Sequence, residues 1–349
     1  MARIVGVGSA VPEHVHKNAE SMDFFGRMPG WDPAWQEIFL ASGVERRATV
    51  IEDLDAFYLA GESPSTAERM RAFAGPARRL GTLAAMRALD RAGLAGAGAA
   101  AGVADLLAVS CTGYAGPGLD LHLATDLGLD ASVRRLHIGH MGCYAAVPAL
   151  RAAAALATAS GRSALVDCVE LCTLHLQPPT RREDVVQIAL FADGAGAAVV
   201  APDGDGPELV GSHTLTVPGS EQRMGWQVAD DGFRMWLSPR VPAIIERGIE
   251  GFVAGLLDRH GLRVPDVHHW VVHPGGPEIL ERIQRRLGLP AEALAGSWEA
   301  LAAGGNRSSV TVLAILDALL ATGTVRAGEW IVMLAFGTGL TMEALLLRA

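Results

Sequence analysis

The chain repeats itself. Arg3-Ile-Val-Gly-Val-Gly-Ser-Ala-Val-Pro12 opens one half and Glu208-Leu-Val-Gly-Ser-His-Thr-Leu-Thr-Val-Pro218 opens the other, and each reads as a strand closed by proline. In the first half a helix over about 81–93 leads to Ala104-Asp-Leu-Leu-Ala-Val-Ser-Cys-Thr-Gly113. In the second a helix over about 244–261 leads to Val267-His-His-Trp-Val-Val-His-Pro-Gly-Gly276. Helices over about 143–160 and 307–322 follow, then buried-type strands at Ser163–Val169 and Trp330–Leu334. Phe191–Val200 and Phe336–Leu345 close the two halves alike. Continuous apolar strands alternating with helices imply sheets covered on both faces. The expected fold is therefore a duplicated α/β unit of two packed halves, 1–203 and 204–349, with an active site between them. Residues 13–80, which hold Trp31, Trp35 and a short helix around Pro33–Ala41, fit the repeat poorly and read as an inserted helical cap. Residues 219–243 read as a second, irregular insertion.

With 349 residues, half of them apolar, the chain can bury a large core. Its formal charge of −9 argues against nucleic acid as a general partner. Arginine supplies nearly all the positive charge, since Lys17 is the only lysine. Charged residues interrupt every apolar stretch before membrane-spanning length, and the N-terminus reads as a strand without a signal-peptide core. Four cysteines (Cys111, Cys143, Cys168, Cys172) are too few and too scattered for a disulfide scaffold, and no Cys/His cluster has zinc spacing. Cys168 and Cys172 read as two residues of one strand, ~13 Å apart at that spacing, too far to bridge. The expectation is a soluble, reduced, cytoplasmic protein with no metal, no nucleic acid and no membrane partner.

Cys143 carries the chemistry. It lies where a β-like run, Arg135-Leu-His-Ile-Gly-His, turns through Met141-Gly142 into an alanine-rich helix. Unpaired N–H groups and the positive end of the helix dipole favour a thiolate there. A drop of two pKa units needs about 2.7 kcal/mol, more than the ~2 kcal/mol that a dipole gives at best, so a partner is required. His273, before Pro-Gly-Gly, can polarise the thiol or donate from Nε2. Asn306, in Gly304-Gly-Asn-Arg-Ser-Ser309, supplies an N–H donor that cannot take up the proton. Cysteine, histidine and asparagine together suit acyl transfer followed by carbanion formation, and they suit a thiol hydrolase as well. Singly, each has an ordinary structural use: a small core residue, a turn histidine, a helix N-cap.

Six motifs in order add a family resemblance. Ser110-Cys-Thr112-Gly-Tyr-Ala-Gly-Pro-Gly-Leu119, Met141-Gly-Cys143, Ala189-Leu-Phe191-Ala-Asp-Gly194, Trp270-Val-Val-His273-Pro-Gly-Gly-Pro277, Gly305-Asn306-Arg-Ser308-Ser309 and Ala335-Phe-Gly337-Thr-Gly-Leu-Thr341 resemble the signatures of type III polyketide synthases, the chalcone-synthase-like branch of the thiolase superfamily. The resemblance implies the five-layered αβαβα thiolase fold and a homodimer. It makes Cys143 the nucleophile that holds the acyl chain. His273 and Asn306 become the pair that binds the malonyl thioester carbonyl and stabilises the enolate left by decarboxylation. An acyl-CoA starter and a malonyl-type CoA extender are the implied substrates, with no cofactor and a pyrone or phenolic product.

The resemblance also locates a cavity and some departures. The family's two phenylalanine gatekeepers correspond to Phe191 and Met235, so the second is replaced by a flexible thioether. Trp226 stands where many relatives place a small residue. Cys172 and His175 fall on a strand that usually lines the cavity, with Thr112, Ser308 and Gly337 as further lining residues. Gly116 occupies the loop position that reaches across the dimer. Arg46 and Arg47 are the candidates for the CoA phosphates. Two alternatives stay open: a ketoacyl synthase III-like enzyme performing one condensation with a carrier-protein substrate, and a non-catalytic acyl-CoA-binding partner subunit. Delivery of a substrate by a carrier protein is open as well.

Overall fold

The computed structural model describes residues 2–94 and 102–349. Its first seven strands are β1 (Arg3–Ala10), β2 (His14–Lys17), β3 (Arg46–Thr49), β4 (Val103–Val109), β5 (Arg134–Ile138), β6 (Ser163–Leu171) and β7 (Asp193–Ala201). The second half adds β8 (Glu208–Thr216), β9 (Met224–Ala229), β10 (Gly232–Leu237), β11 (His269–Val272), β12 (Trp330–Gly337) and β13 (Thr341–Arg348). The helices of the first half are α1 (Asn18–Gly26), α2 (Gln36–Leu40), α3 (Leu54–Tyr58), α4 (Thr66–Arg91), α5 (Leu119–Asp126), α6 (Ala146–Ser160) and α7 (Arg182–Leu190). Those of the second half are α8 (Val241–Leu257), α9 (Pro277–Leu287), α10 (Ala295–Gly304) and α11 (Val310–Ala321).

The duplication is visible in the sheet. Its order is β11-β12-β13-β8-β1-β7-β6-β4-β5, the halves meeting at the single pair Arg3↔Glu208. From that join outward, β8-β13-β12-β11 repeats β1-β7-β6-β4, antiparallel twice and then parallel. Only β5 has no counterpart in the second half. The central helices α6 and α11 each pack on strands of both halves, while α4 covers one outer face and α8 with α9 the other. Five layers result. Strands β4, β6 and β7 are buried along their whole length, as sheets covered on both faces require. Helix α4 can lie flat on β1 because Gly6 and Gly8 have no side chain; a Cβ on Gly8 would stand 2.5 Å from the Ala84 carbonyl oxygen. The stretch 142–160 has the length and hydropathy of a membrane span, yet here it forms the turn before α6 and α6 itself, between the two sheet halves.

Several boundaries differ from those read in the sequence. The cap ends at about residue 65, not 80, because α4 begins at Thr66 under a capping box of Ser65 and Glu68 and continues through Pro76. Besides its helices, the cap holds the two-stranded β2–β3 ribbon. Residues 219–243 are not irregular: they contain the β9–β10 hairpin. The segment Phe336–Leu345 is split by a turn at Thr338–Leu340 between β12 and β13. Strand β6 stops at Leu171, so Cys172 and His175 lie in a 3₁₀ turn and not on a strand.

Candidate active site

Equivalent turns of the two halves converge. Cys143 occupies the 3₁₀ turn Gly142–Tyr144 that leads into α6, and Asn306 with Ser308 precedes α11, the helix related to α6 by the duplication. His273 follows β11, as Cys111 and Thr112 follow the related strand β4. Two glycines make room for Cys143. Gly142 has φ +74°, and a Cβ on Gly337 would stand 2.7 Å from the Tyr144 ring and 3.3 Å from the Cys143 nitrogen.

Asn306 is held as if it were a sheet residue. It forms an isolated parallel bridge with Phe191, its N–H donating to Leu190 O at 2.8 Å and its carbonyl accepting from Ala192 N at 2.9 Å. Gly305 enables this approach, with φ +65° and space for a Cβ only 2.8 Å from Leu190 O. Helix α11 starts at Val310, so Asn306 is not its N-cap. Instead Asn306 Oδ1 accepts the backbone N–H of Ser308 at 2.8 Å and fixes that serine at φ +49°.

At rest the thiol and the imidazole are both uncharged. Burial pushes the Cys143 thiol up to about 12, against the hydrogen bonds that the Ser308 hydroxyl and the Asn306 amide offer to its sulfur. Burial also pushes the His273 imidazole down to about 3, and neither ring nitrogen has a hydrogen-bond partner among the described residues. The thiolate expected at the helix start is therefore not the resting form; desolvation outweighs the hydrogen bonds to the sulfur. The nearby carboxylate of Glu170, which sequence reading missed, raises the thiol further. Glu170 is fully buried and accepts from Ser309 Oγ at 2.7 Å, Thr112 Oγ1 at 2.9 Å and the Cys111 N–H at 3.1 Å. Its only signal in the sequence is an acidic residue, beside Asp167, inside the mostly apolar run Leu165–Leu171.

A cavity of about 630 Å³ opens at Cys143. Thr112, Ser308 and Gly337 share its inner wall with the cysteine. Cys172, His175 and Phe191 line it as well, as do Trp226 and Met235 from the β9–β10 hairpin. His273 and Asn306 are buried and are not among the lining residues. Arg46 and Arg47 are not part of it. The expectation that Arg47 meets CoA phosphates is corrected by its surroundings. Arg47 is buried, its guanidinium donates to Ile188 O at 2.5 Å and Ala189 O at 2.6 Å, and it stacks over Phe39 at 5.1 Å. Arg46 is exposed on β3.

His175 locks the hairpin to the body. Its Nε2 donates to Thr112 O at 2.7 Å, its Nδ1 accepts the Phe233 N–H at 3.1 Å, and burial lowers it to about 4. From it runs an unbroken file of stacked rings: Phe233 at 4.1 Å, Trp226 beyond at 5.1 Å, then His140 at 5.6 Å and Tyr114 at 5.1 Å.

Family models for the N-terminal and C-terminal domains of chalcone and stilbene synthases match residues 1–204 and 208–349. The chain belongs to the chalcone and stilbene synthase family. It is a type III polyketide synthase, a condensing enzyme of the acyltransferase type. It is 36% identical over 269 residues to 1,3,6,8-tetrahydroxynaphthalene synthase of Streptomyces peucetius subsp. caesius, covering 75% of this chain and 70% of that one. It is 31% identical to the alpha-pyrone synthesis polyketide synthase-like Pks18 of Mycobacterium tuberculosis, over 99% of this chain and 91% of the relative. Among solved structures, PKS-I from the brown alga Ectocarpus siliculosus superposes with a TM-score of 0.93 at 31% identity, covering 99% and 98% of the two chains. CsyB complexed with CoA-SH superposes at 0.90 with 26% identity over the full length of both. These likenesses favour a type III polyketide synthase over the ketoacyl synthase III-like and non-catalytic alternatives, and they bear out the five-layered thiolase-like fold.

Proposed function

We propose that this type III polyketide synthase loads an acyl-CoA starter on Cys143 and extends it with malonyl-type CoA units, ending in a cyclised pyrone or phenol. The observation that carries the reading is Cys143 at the inner end of the cavity, with the Asn306 amide and the Ser308 hydroxyl acting on its sulfur. The Cys143 thiol gives its proton to His273, and the thiolate attacks the starter thioester; CoA leaves as its thiolate and takes the proton back. A malonyl thioester then binds with its carbonyl oxygen at His273 and Asn306. Loss of CO₂ leaves an enolate whose charge these two donors stabilise. The enolate carbon attacks the acyl thioester and releases Cys143, to which the longer chain returns for the next round. No redox step is required.

The relatives' names, one for a naphthalene-type phenol and one for alpha-pyrones, support the two product classes. The CoA complex of CsyB supports a CoA-borne substrate. We further infer a cytoplasmic homodimer. Four free cysteines fit a reducing compartment, and the unpaired edge of β5 with exposed Leu121, Leu136 and Met141 offers a face for a second copy.

The test is incubation of the purified protein with malonyl-CoA and a panel of acyl-CoA starters. CO₂ release and extended products are expected, with an acyl adduct that Cys143→Ala abolishes. Absence of both CO₂ and extended product, while Cys143 remains alkylatable, would sink the reading.

A further inference from the structure

The chain reaches Cys143 through a strained step. His140 has φ +64°, left-handed for a residue with a side chain, and the Met141 N–H donates across it to Gly139 O at 2.9 Å. That bond closes a three-residue turn about a left-handed centre, the rare and strained form of the γ-turn. Gly142 follows at φ +74°, and Cys143 comes next. Glycine would adopt such a backbone without strain; histidine needs contacts to hold it there.

Those contacts are rings. His140 stacks on Tyr114 at 5.1 Å and 16°, and on Trp226 at 5.6 Å and 24°. The Tyr114 hydroxyl accepts the His140 backbone N–H at 3.3 Å and lies 3.2 Å from Nδ1 of the same residue. Gly139 admits the tyrosine, since a Cβ there would stand 3.2 Å from its ring. One residue on, the Met141 carbonyl accepts from Thr338 Oγ1 at 3.0 Å. His140 itself is exposed, so core packing does not force its backbone, and the stacked pairs offset the strain. Trp226 also lines the cavity, and the stack thus ties a cavity wall to the turn that carries Cys143.

We propose that His140 is a positioning residue for Cys143: its ring, held by Tyr114 and Trp226, keeps the strained turn closed and so aims the sulfur into the cavity. The inference rests on the reading of Cys143 as the residue that takes up the acyl group. His140 does not line the cavity and acts only through the backbone it holds. Without its ring the turn relaxes, and a displacement of the sulfur by about 1 Å is worth on the order of 100-fold in rate. Trp226 keeps its stack on Phe233 at 5.1 Å, so the cavity wall stands without His140.

The experiment takes the full-length protein with a panel of acyl-CoA starters and reads kcat and KM for acyl-adduct formation on Cys143 by mass spectrometry. His140→Ala removes the ring and is expected to lower kcat for loading about 10- to 100-fold with KM within about 2-fold, the pattern of a lost alignment and not of lost binding. His140→Phe restores a stacking ring without the imidazole nitrogens and is expected to load within about 3-fold of wild type. His140→Gly takes the left-handed backbone freely but has no ring, and is expected to fall between the two. It also reads the role of the ring, against His140→Phe, should His140→Ala fail to fold. Wild-type loading in His140→Ala or His140→Gly overturns the proposal while leaving the condensing function intact. So does loading in His140→Phe as slow as in His140→Ala, or a loss in His140→Ala carried by KM. A wild-type protein that forms no adduct on Cys143 with any starter overturns the underlying reading, and the inference with it.

Discussion

Asn306 and Ser308 are coupled through one bond. Oδ1 of the asparagine accepts the serine N–H at 2.8 Å, which leaves the amide nitrogen and the serine hydroxyl as the donors that act on Cys143. The left-handed backbone of Ser308, φ +49°, is the conformation this bond imposes. Removing the hydroxyl takes away a donor that favours the thiolate. Ser308→Ala is therefore expected to move the pH profile of Cys143 alkylation upward by about one unit, so that less thiolate reacts at any given pH. A profile that stays in place or moves downward refutes this.

Glu170 acts in the opposite sense. Its charge raises the thiol, so Glu170→Gln is expected to shift the same alkylation profile downward and speed labelling at neutral pH. The same substitution gives up an acceptor for Ser309, Thr112 and Cys111, and thermal unfolding should report the loss.

Gly337 leaves no room for a side chain beside the Cys143 backbone. A methyl at Gly337 meets the Tyr144 ring and the Cys143 nitrogen, and the turn that carries Cys143 must shift. Displacement of a reacting group by about 1 Å costs on the order of 100-fold, and Gly337→Ala is expected to lose about that much turnover without loss of fold. Normal turnover in this variant would show that the turn has slack.

Arg47 is a structural clamp. Arg47→Met leaves the Ile188 and Ala189 carbonyls without their donor and is expected to cost about 2–3 kcal/mol in denaturant unfolding. Arg46→Ala, at an exposed position, should cost nothing measurable. Equal losses would contradict the division of roles.

The acid limb of stability should carry a histidine signature. His175 and His273 titrate near 4 and 3 in the folded chain, below their ordinary 6.5. Both states are neutral above pH 6.5, so the stabilising difference is fully present there. As pH falls from 6.5 towards 4, the unfolded chain binds protons that the folded chain refuses, and stability drops. Asp193, raised to about 6 by burial, offsets part of this by taking a proton in the folded state. His175→Gln is expected to flatten the slope by about 1.4 kcal/mol per pH unit, one proton's worth, in urea unfolding between pH 6 and 5.

Most of this fold was legible because it is written twice. The strands of both halves and the turns at Cys143, His273 and Asn306 lie where the repeated pattern puts them. The misses have physical causes. Pro76 looks like a helix breaker, yet α4 passes through it under the strong cap at Ser65. The β9–β10 hairpin buries few residues of its own, so its alternation was weak, and only the cavity beneath it explains Phe233, Met235 and Trp236. Arg47 and Arg46 are neighbours on a short strand, and sequence alone does not say which faces inward. Glu170 is one of two acidic residues in a buried strand, and its partners come from two distant segments.

A local two-fold axis that brings unlike residues to one point has a historical meaning. The turn before α6 carries Cys143, and the related turn before α11 carries Asn306 and Ser308. In a pair of identical single units each copy would have had to serve both purposes. Within one chain each turn is free to hold its own residues, and the unmatched strand β5 is where the two halves of the sheet differ.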